Sequence, residues 1–429
     1  MNMREMKDSG IEWVGNIPAT WKSIQIKNLF TILSGATPTP DTDNWDGDVL
    51  WITPADYKTK DKYVSGGKRN ISQQGFNTCS TSMIPKGSII FSKRAPIGTV
   101  AINTEVLCTN QGCLSCVSKA DTCNDYYYYV MSVGTEHFEL LGSGTTFKEI
   151  SANSFSNCKL PCPDKCEQEK IASFLDERCS AFNCLISDIQ SQIEALEEYK
   201  RSVITEAVTK GLDPDVEMRD SGIEWLGFIP STWQTRKGKY IFVQRNERGN
   251  SIELQLLSPT QKYGVIPQDL YEEISGYKAV KLDEKTDYSL LKTIHKGDYC
   301  ISLRSFQGGF EYSEYEGVVS PAYQVFYPVI EVFRGYYKHL FKTQIFIDKM
   351  NSFTMSLRDG KNIAFADFGN TYLPIPPIQE QQQITDYLDS KCAEIDSIIA
   401  EKKQQIETIE EYKKSLIFEY VTGKKEVIV

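Results

Sequence analysis

The chain has 429 residues, of which 41% are hydrophobic and 11% aromatic, with 57 acidic against 47 basic residues and a formal net charge of -10. This length exceeds what one hydrophobic core usually serves and predicts two or three domains, while no stretch approaches the run of about 20 apolar residues that a membrane span needs. The polar opening MNMREMKDSG carries no apolar stretch behind its basic residues, so a secretory signal is not expected and a cytoplasmic protein is.

The first recognisable element is DSGIEWVGNIPATW, Asp8 to Trp21, which returns as DSGIEWLGFIPSTW from Asp220 to Trp233. Self-similarity at one fixed offset marks a duplicated architecture. Trp13, Trp21, Trp225 and Trp233 keep matching places in the two copies. Two different readers would vary such residues, so packing at the start of each domain, against the end of a long helix, is the expectation for them.

About 140 residues follow in each copy, rich in Gly, Pro, Asn, Tyr and β-branched residues and without long helical periodicity. Short strand-like pieces, SIIFSKRA from Ser88 and YCISLRSF from Tyr299, alternate with turn signals such as Pro85-Lys86-Gly87 and His295-Lys296-Gly297. Each copy is read as a compact mixed domain, and the two differ enough in sequence to present different surfaces on one scaffold.

Cysteines crowd the first domain at Cys108, Cys113, Cys116 and Cys123, and the pair Cys113 and Cys116 has the spacing of half a zinc site. The corresponding stretch of the second copy carries almost none of these thiols, and free cysteine packs as a small hydrophobe, so no metal or other cofactor is expected. Catalytic equipment is also missing. The three histidines, His137, His295 and His339, show no metal-ligand spacing, and neither a GxxxxGK[ST] phosphate loop nor Gly-x-Ser-x-Gly is present. Gly142-Ser143-Gly144-Thr145-Thr146 has no lysine to make it a phosphate cradle and is read as a turn.

What remains is recognition. Basic residues gather at Lys58, Lys60, Lys62, Lys68 and Arg69, then at Lys93 and Arg94, in the first domain. The second supplies Arg236, Lys237, Arg245, Arg248 and Arg304, with Arg358 and Lys361 near the domain exit. Arginine and amide side chains have the fork geometry that suits base edges, whereas lysine often only neutralises phosphate. Gln111, in Thr109-Asn110-Gln111-Gly112, joins the candidates either as a base reader or as a loop-organising amide. Net acidity alone argues against nucleic acid, but a local basic face can coexist with acidic helices.

Each domain leaves through a proline-bearing segment, LPCPDKCEQEK from Leu160 and LPIPPIQEQQQ from Leu373, into a long helix. The first stripe continues through Leu175, Phe182, Ile186, Ile189, Ile193 and Leu196, and the second through Leu388, Ile395, Ile399, Ile406, Ile409 and Leu416. Spacing alternates four and three, the signature of a helix-helix seam, with Lys200, Lys402 and Lys413 standing in it. From Glu167 to Val208 such a helix is roughly 60 Å long at about 1.5 Å per residue. An antiparallel pairing of the two seams would give the chain an internal two-fold axis.

The expected fold class is therefore α+β: two mixed α/β globular domains separated by two long antiparallel coiled-coil helices, with a pseudo-two-fold internal repeat. The divisions are 1–160 for the first domain, 161–212 for the first spacer helix, 213–373 for the second domain and 374–424 for the second spacer helix.

With these motifs in view, the chain resembles the specificity subunit of type I restriction and modification systems. The resemblance spans essentially the whole sequence and rests on a combination: GIEW-x-G-x-IP-x-TW in both halves, EQEKIASFLDERC from Glu167 matching EQQQITDYLDSKC from Glu380, and EYKRSVITEAVTKG from Glu198 matching EYKKSLIFEYVTGK from Glu411. It implies two target recognition domains, each reading one half of a split double-stranded DNA target, and antiparallel helices that set the gap. It further implies a non-catalytic subunit that binds two adenine methyltransferase subunits and, in the full complex, two motor-nuclease subunits. Lys93 and Arg94 fall in IIFSKRAPIG, and the second domain departs from this with ISLRSFQGG, so contacts are not copied between domains. Two rival readings are a two-headed protein-binding scaffold, which apolar or acidic heads would favour, and a fused nuclease or methyltransferase with unfamiliar motifs.

Overall fold

The computed structural model describes residues 4–58, 61–94, 96–144, 148–248, 254–278, 288–301, 309–353 and 363–427. The chain divides into two compact units, Met1–Ile189 with Gln404–Val429, and Gln190–Lys403. Each unit combines one globular head with part of each of two long helices, Lys165–Lys210 and Ile378–Val421. Among the described residues no helix is long and apolar enough to cross a membrane.

The first unit is organised by a five-stranded sheet in the order Phe30–Ser34, Cys113–Ser118, Ile89–Ser92, Val100–Asn103, Tyr63–Val64. Its pairings are antiparallel except the last. Alternate residues supply two cores. Ile89, Phe91, Val100, Ile102, Leu114 and Cys116 face the helix Asn124–Val133 and the start of the first long helix, where Ile171 and Leu175 pack. On the opposite face, Ile90, Ala101 and Cys113 pack with Ile52, Tyr57, Ile84 and Leu107, beneath an outer lobe built on Val49, Trp51, Ile71 and Cys108. A sheet covered on both faces reads as unbroken apolar runs rather than alternation. Strand geometry also decides the thiol pair: three residues apart, Cys113 and Cys116 point to opposite faces, so they cannot share one metal ion.

The second unit repeats this plan around a four-stranded antiparallel sheet, ordered Phe242–Gln244, Gln324–Pro328, Tyr299–Ile301, Phe310–Tyr312. Phe242, Tyr299, Phe310 and Phe326 face the helix Arg334–Leu340 and the long helices, while Cys300 and Val325 face Leu257, Val265 and Val319. Tyr299 and Phe326 stack with ring centroids 5.3 Å apart, and Phe242 meets Tyr337 edge-on at 5.1 Å.

The repeated motifs are the frame. Trp21 donates its indole N–H to Glu167 at 2.8 Å, and Trp233 donates to Glu380 at 2.9 Å. The neighbouring glutamine clasps the head: Gln168 Oε1 accepts from the backbone N–H of Cys123 at 2.9 Å, and Gln381 Oε1 from that of Phe333 at 2.8 Å. Tyr126 donates to the carbonyl of Val421 at 2.9 Å, and Tyr336 to that of Val208 at 2.7 Å, satisfying carbonyls that a helix end leaves unpaired. Gly423 and Gly211 then end the helices with φ of 70° and 78°, a conformation that glycine adopts without strain. Trp13 lies against Phe418, centroids 6.4 Å apart, so the tryptophan element packs on a helix end as expected.

The seam residues face inward. Leu175, Ile189, Ile193, Leu388, Ile395, Ile399 and Leu416 are buried, and Phe182, Ile186, Leu196, Ile406 and Ile409 are half-buried, amid exposed neighbours. Within the first unit, Phe174 meets Tyr420 and Phe182 meets Tyr412, at centroid distances of 4.5 and 5.6 Å. Within the second, Lys402 donates to Gln192 and Lys200 to Asp396, each at 2.6 Å. In both, one residue number rises as the other falls, so the helices run antiparallel.

All three seam lysines reach a polar partner on the opposite helix, the third being Lys413 on Asn183 at 2.6 Å. A polar residue in a seam fixes register and costs stability. Replacing Lys402 and Lys413 together by leucine is expected to raise the melting temperature and to give mixed oligomers in light scattering; a lower melting temperature with one species would contradict this.

Candidate nucleic-acid interface

In the first unit several loops converge on the outer lobe. Asn110 organises the 109–112 turn by accepting from the backbone N–H of Gly112 at 2.8 Å, while its own N–H donates to Ile52 at 2.9 Å. Ala36 donates to the carbonyl of Thr109, and Lys93 to that of Gly112, both at 3.0 Å. Gln111 is exposed and pairs with Thr37. These loops border a cleft of about 1000 Å³ lined by Tyr57, Lys58, Arg94, Asn110 and Glu149 among others.

The structure brings Lys93, Arg94 and Gln111 to this one rim. Glu149 meets both cations, Lys93 Nζ at 2.8 Å and Arg94 Nη1 at 3.9 Å. Lys93 is only 15% exposed and Arg94 35%, so Arg94 is the more available of the two. Glu149 carried no signal in the sequence, since it lies 55 or more positions beyond its partners. Its removal would leave two cations without a counter-charge. The Glu149→Gln variant is expected to bind non-target duplex more tightly and with a salt dependence steeper by about one to two phosphate contacts, read by fluorescence anisotropy at graded salt; an unchanged slope would count against a DNA-facing rim.

Lys58 lines the same cleft, and the other described candidates of the first head are held by other partners. Arg69 is exposed, forms a bidentate pair with Asp46, both contacts at 3.1 Å, and stacks over Trp45 at 4.3 Å. That pairing holds the Asp46 carboxyl below its usual range. Lys68 is exposed. Lys62 is turned inward, 15% exposed, and paired with Asp125 at 2.7 Å and with Asp176 of the first long helix, which removes its charge from the surface. Lys60 lies outside the described residues.

In the second unit, Arg245 is held by the buried carboxylate of Asp298, Nε to Oδ2 at 2.7 Å and Nη2 to Oδ1 at 3.2 Å, and lies over Tyr327 at 4.3 Å. Beside it His295 sits between Glu316 at 2.8 Å and Glu247 at 3.2 Å. Burial works against the charged imidazole, yet the two carboxylates win and raise its pKa. Arg245 thus organises the head from within, and Arg248 is exposed. Lys237 lies over Tyr372 at 5.5 Å, on the strand Gln234–Lys237 that pairs with Tyr372–Ile375, and belongs to the frame. Arg304, Arg358 and Lys361 lie outside the described residues.

A family model for the type I restriction modification DNA specificity domain matches the chain twice, over residues 18–195 and 230–408. The chain belongs to this family. Each matched span covers most of one head and the first part of the long helix that follows it, so the family match repeats as the structure does. Among curated proteins, the type I restriction enzyme MjaIX specificity subunit of Methanocaldococcus jannaschii is 36% identical over 189 residues, 43% of this chain and 43% of that protein. The alignment thus spans under half the length of that relative. The MjaVIII specificity subunit of the same organism is 25% identical over 319 residues, 70% of each chain. Among solved structures, a chain from work on complex assembly and conformational transition of the type I R-M system aligns with a TM-score of 0.70 at 12% identity, covering 95% of this chain and 99% of that one. The HsdS subunit of Thermoanaerobacter tengcongensis aligns with a TM-score of 0.52 at 13% identity, over 95% and 98%. At such identities these two neighbours establish the shared fold and nothing finer.

Proposed function

We propose that this chain is the DNA-reading specificity subunit of a type I restriction-modification complex. The head within 1–160 reads one half of a bipartite double-stranded target and the head within 213–373 reads the other. The long helices set the unread gap and dock two adenine methyltransferase subunits, and two motor-nuclease subunits complete the restriction complex. The chain itself is non-catalytic, takes no cofactor and works in the cytoplasm, where its DNA lies.

The observation that carries this reading is the contrast within the repeat. Trp21 and Trp233, Glu167 and Glu380, Gln168 and Gln381, Tyr126 and Tyr336 make the same contacts in both units. The corresponding loop sequences differ: IIFSKRAPIG from Ile89 in one head, ISLRSFQGG from Ile301 in the other. A common mount with unlike working surfaces suits one task performed on two different sequences. Arg94 and Arg69, half-exposed or exposed, supply the fork geometry that base edges and phosphates favour. The names of the relatives point the same way. A protein-binding scaffold would present apolar or acidic heads at this place.

The test is selection from random duplex DNA by the chain co-purified with its methyltransferase subunit. Enrichment of two short conserved blocks separated by a fixed unconserved gap is expected; a single contiguous block, or no enrichment, would overturn the reading.

A further inference from the structure

The repeat places an aspartate at the same point of each long helix, Asp176 and Asp389, within the matching strings FLDE and YLDS. Neither serves the helix-helix seam. Asp176 accepts from the hydroxyl of Tyr129 at 2.6 Å and pairs with Lys62. Asp389 meets the imidazole of His339 at 2.9 Å. Tyr129 and His339 themselves hold equivalent places, each three residues after the tyrosine, Tyr126 or Tyr336, that caps a helix end. The position therefore keeps its task while its chemistry changes: it fastens a head to a long helix.

The first head has an additional fastening. Lys62 stands next to the edge strand Tyr63–Val64, and its carbonyl accepts from the N–H of Ile102 at 2.8 Å. Its ammonium reaches across to Asp125, at the start of the helix Asn124–Val133, and to Asp176 of the long helix. The rings of Tyr63, Tyr128 and Tyr129 surround it at 5.3, 5.6 and 5.1 Å. One half-buried cation thus ties the sheet edge, the helix beneath the sheet and the long helix together. A cation desolvated among aromatic faces and two carboxylates is held far more firmly than a surface pair.

We infer that Lys62 and Asp176 form a positioning lock that fixes the first head on its helix and so makes the unread gap in the target single-valued. The inference rests on the proposed DNA-reading function. One base pair advances about 3.4 Å along the duplex, so a head that rocks on its mount by a few Å reaches its half-site from neighbouring registers. Among the described residues, the side-chain partners of Lys62, which are Asp125, Asp176, Tyr63, Tyr128 and Tyr129, are not lining residues of the cleft, so its loss is expected to leave base preference intact.

The experiment is mapping of methylated adenines in cells carrying this chain with its methyltransferase subunit, comparing wild type with Lys62→Met and Lys62→Arg. The carboxylates of Asp125 and Asp176 are 42% and 41% exposed and stay hydrated when the lysine is lost, so the Met variant folds. In Lys62→Met both half-site sequences are expected to persist, with the single gap spread over lengths one base pair shorter and longer at a tenth or more of all sites. Lys62→Arg restores the single length. An unchanged single gap in Lys62→Met overturns the lock, and so does an altered half-site, which would make Lys62 a reader. Should Lys62→Met fail to accumulate, Asp176→Asn, which removes the charge that Lys62 pairs with on the long helix, is held to the same two outcomes. A wild-type map without a bipartite motif would instead defeat the proposed function, so the two failures are distinct.

Discussion

The Asp298→Ala variant is expected to lose about 3–5 kcal/mol of stability in the second unit, the usual cost of stripping one partner from a buried pair. The Asp298 side chain is 1% exposed and accepts from Arg245 at 2.7 and 3.2 Å and from the backbone N–H of His295 at 3.0 Å. Its backbone is engaged too, donating to His295 at 3.0 Å and accepting from Ser313 at 2.9 Å. Removing the carboxylate leaves the guanidinium, 18% exposed and lying on Tyr327, with Glu247 at 3.2 Å as its remaining carboxylate. Burial works against the cationic form of Arg245, but Asp298 together with Glu247 and Tyr327 outweighs it and raises its pKa. Urea titration followed by circular dichroism reads the loss. An Arg245→Met, Asp298→Leu double variant should lose much less, because neither charge then needs a partner. Equal losses in the two variants would show that Asp298 acts through packing or backbone geometry instead.

Adding one heptad to both long helices, at the level where Lys402 meets Gln192, is expected to widen the unread gap by about three base pairs. Seven residues add about 10.5 Å of helix, and each base pair advances about 3.4 Å. A heptad returns the seam to the same face, so the helix pairing survives with Lys200 on Asp396 and Lys413 on Asn183 intact. The duplex does not return to the same face. Three base pairs turn it by about 100°, given about 10.5 per turn, so affinity should fall while both half-site sequences persist. Insertion into one helix alone should be worse, since every polar partner beyond the insertion is displaced. A methylation map of the doubly extended chain with the original gap would refute the role of the helices as spacers.

The parts of this molecule that the sequence made legible are those governed by short-range periodicity. The four-three alternation from Leu175 and from Leu388 announced the helix pair, and the three lysines standing in the stripe turned out to reach polar partners across it. The tryptophan elements were legible as frame because the two copies constrain one another. What stayed hidden depends on pairs far apart in the chain. Lys62 and Asp176 are 114 positions apart, and nothing in a turn-rich run of lysines distinguishes the one that is half-buried from those that are exposed. Arg245 looked like a surface cation for the same reason. The strand Ile89–Ser92 was legible as the run SIIFSKRA, but its partners Cys113–Ser118 and Val100–Asn103 were not, because strands covered on both faces lose the alternation that marks a half-buried strand. Strand geometry also undid the suggestion carried by Cys113 and Cys116, whose spacing suits a zinc knuckle in a loop but opposite faces in a sheet.

The division of labour between heads is tested most directly by exchanging the first head alone, between Lys22 and Cys158, for that of a relative with a different target and mapping methylated adenines genome-wide. One half of the methylated sequence should change to that of the donor while the other half and the gap length stay as they were. A map in which both halves change, or neither does, would contradict a chain whose two heads read independently from one common frame.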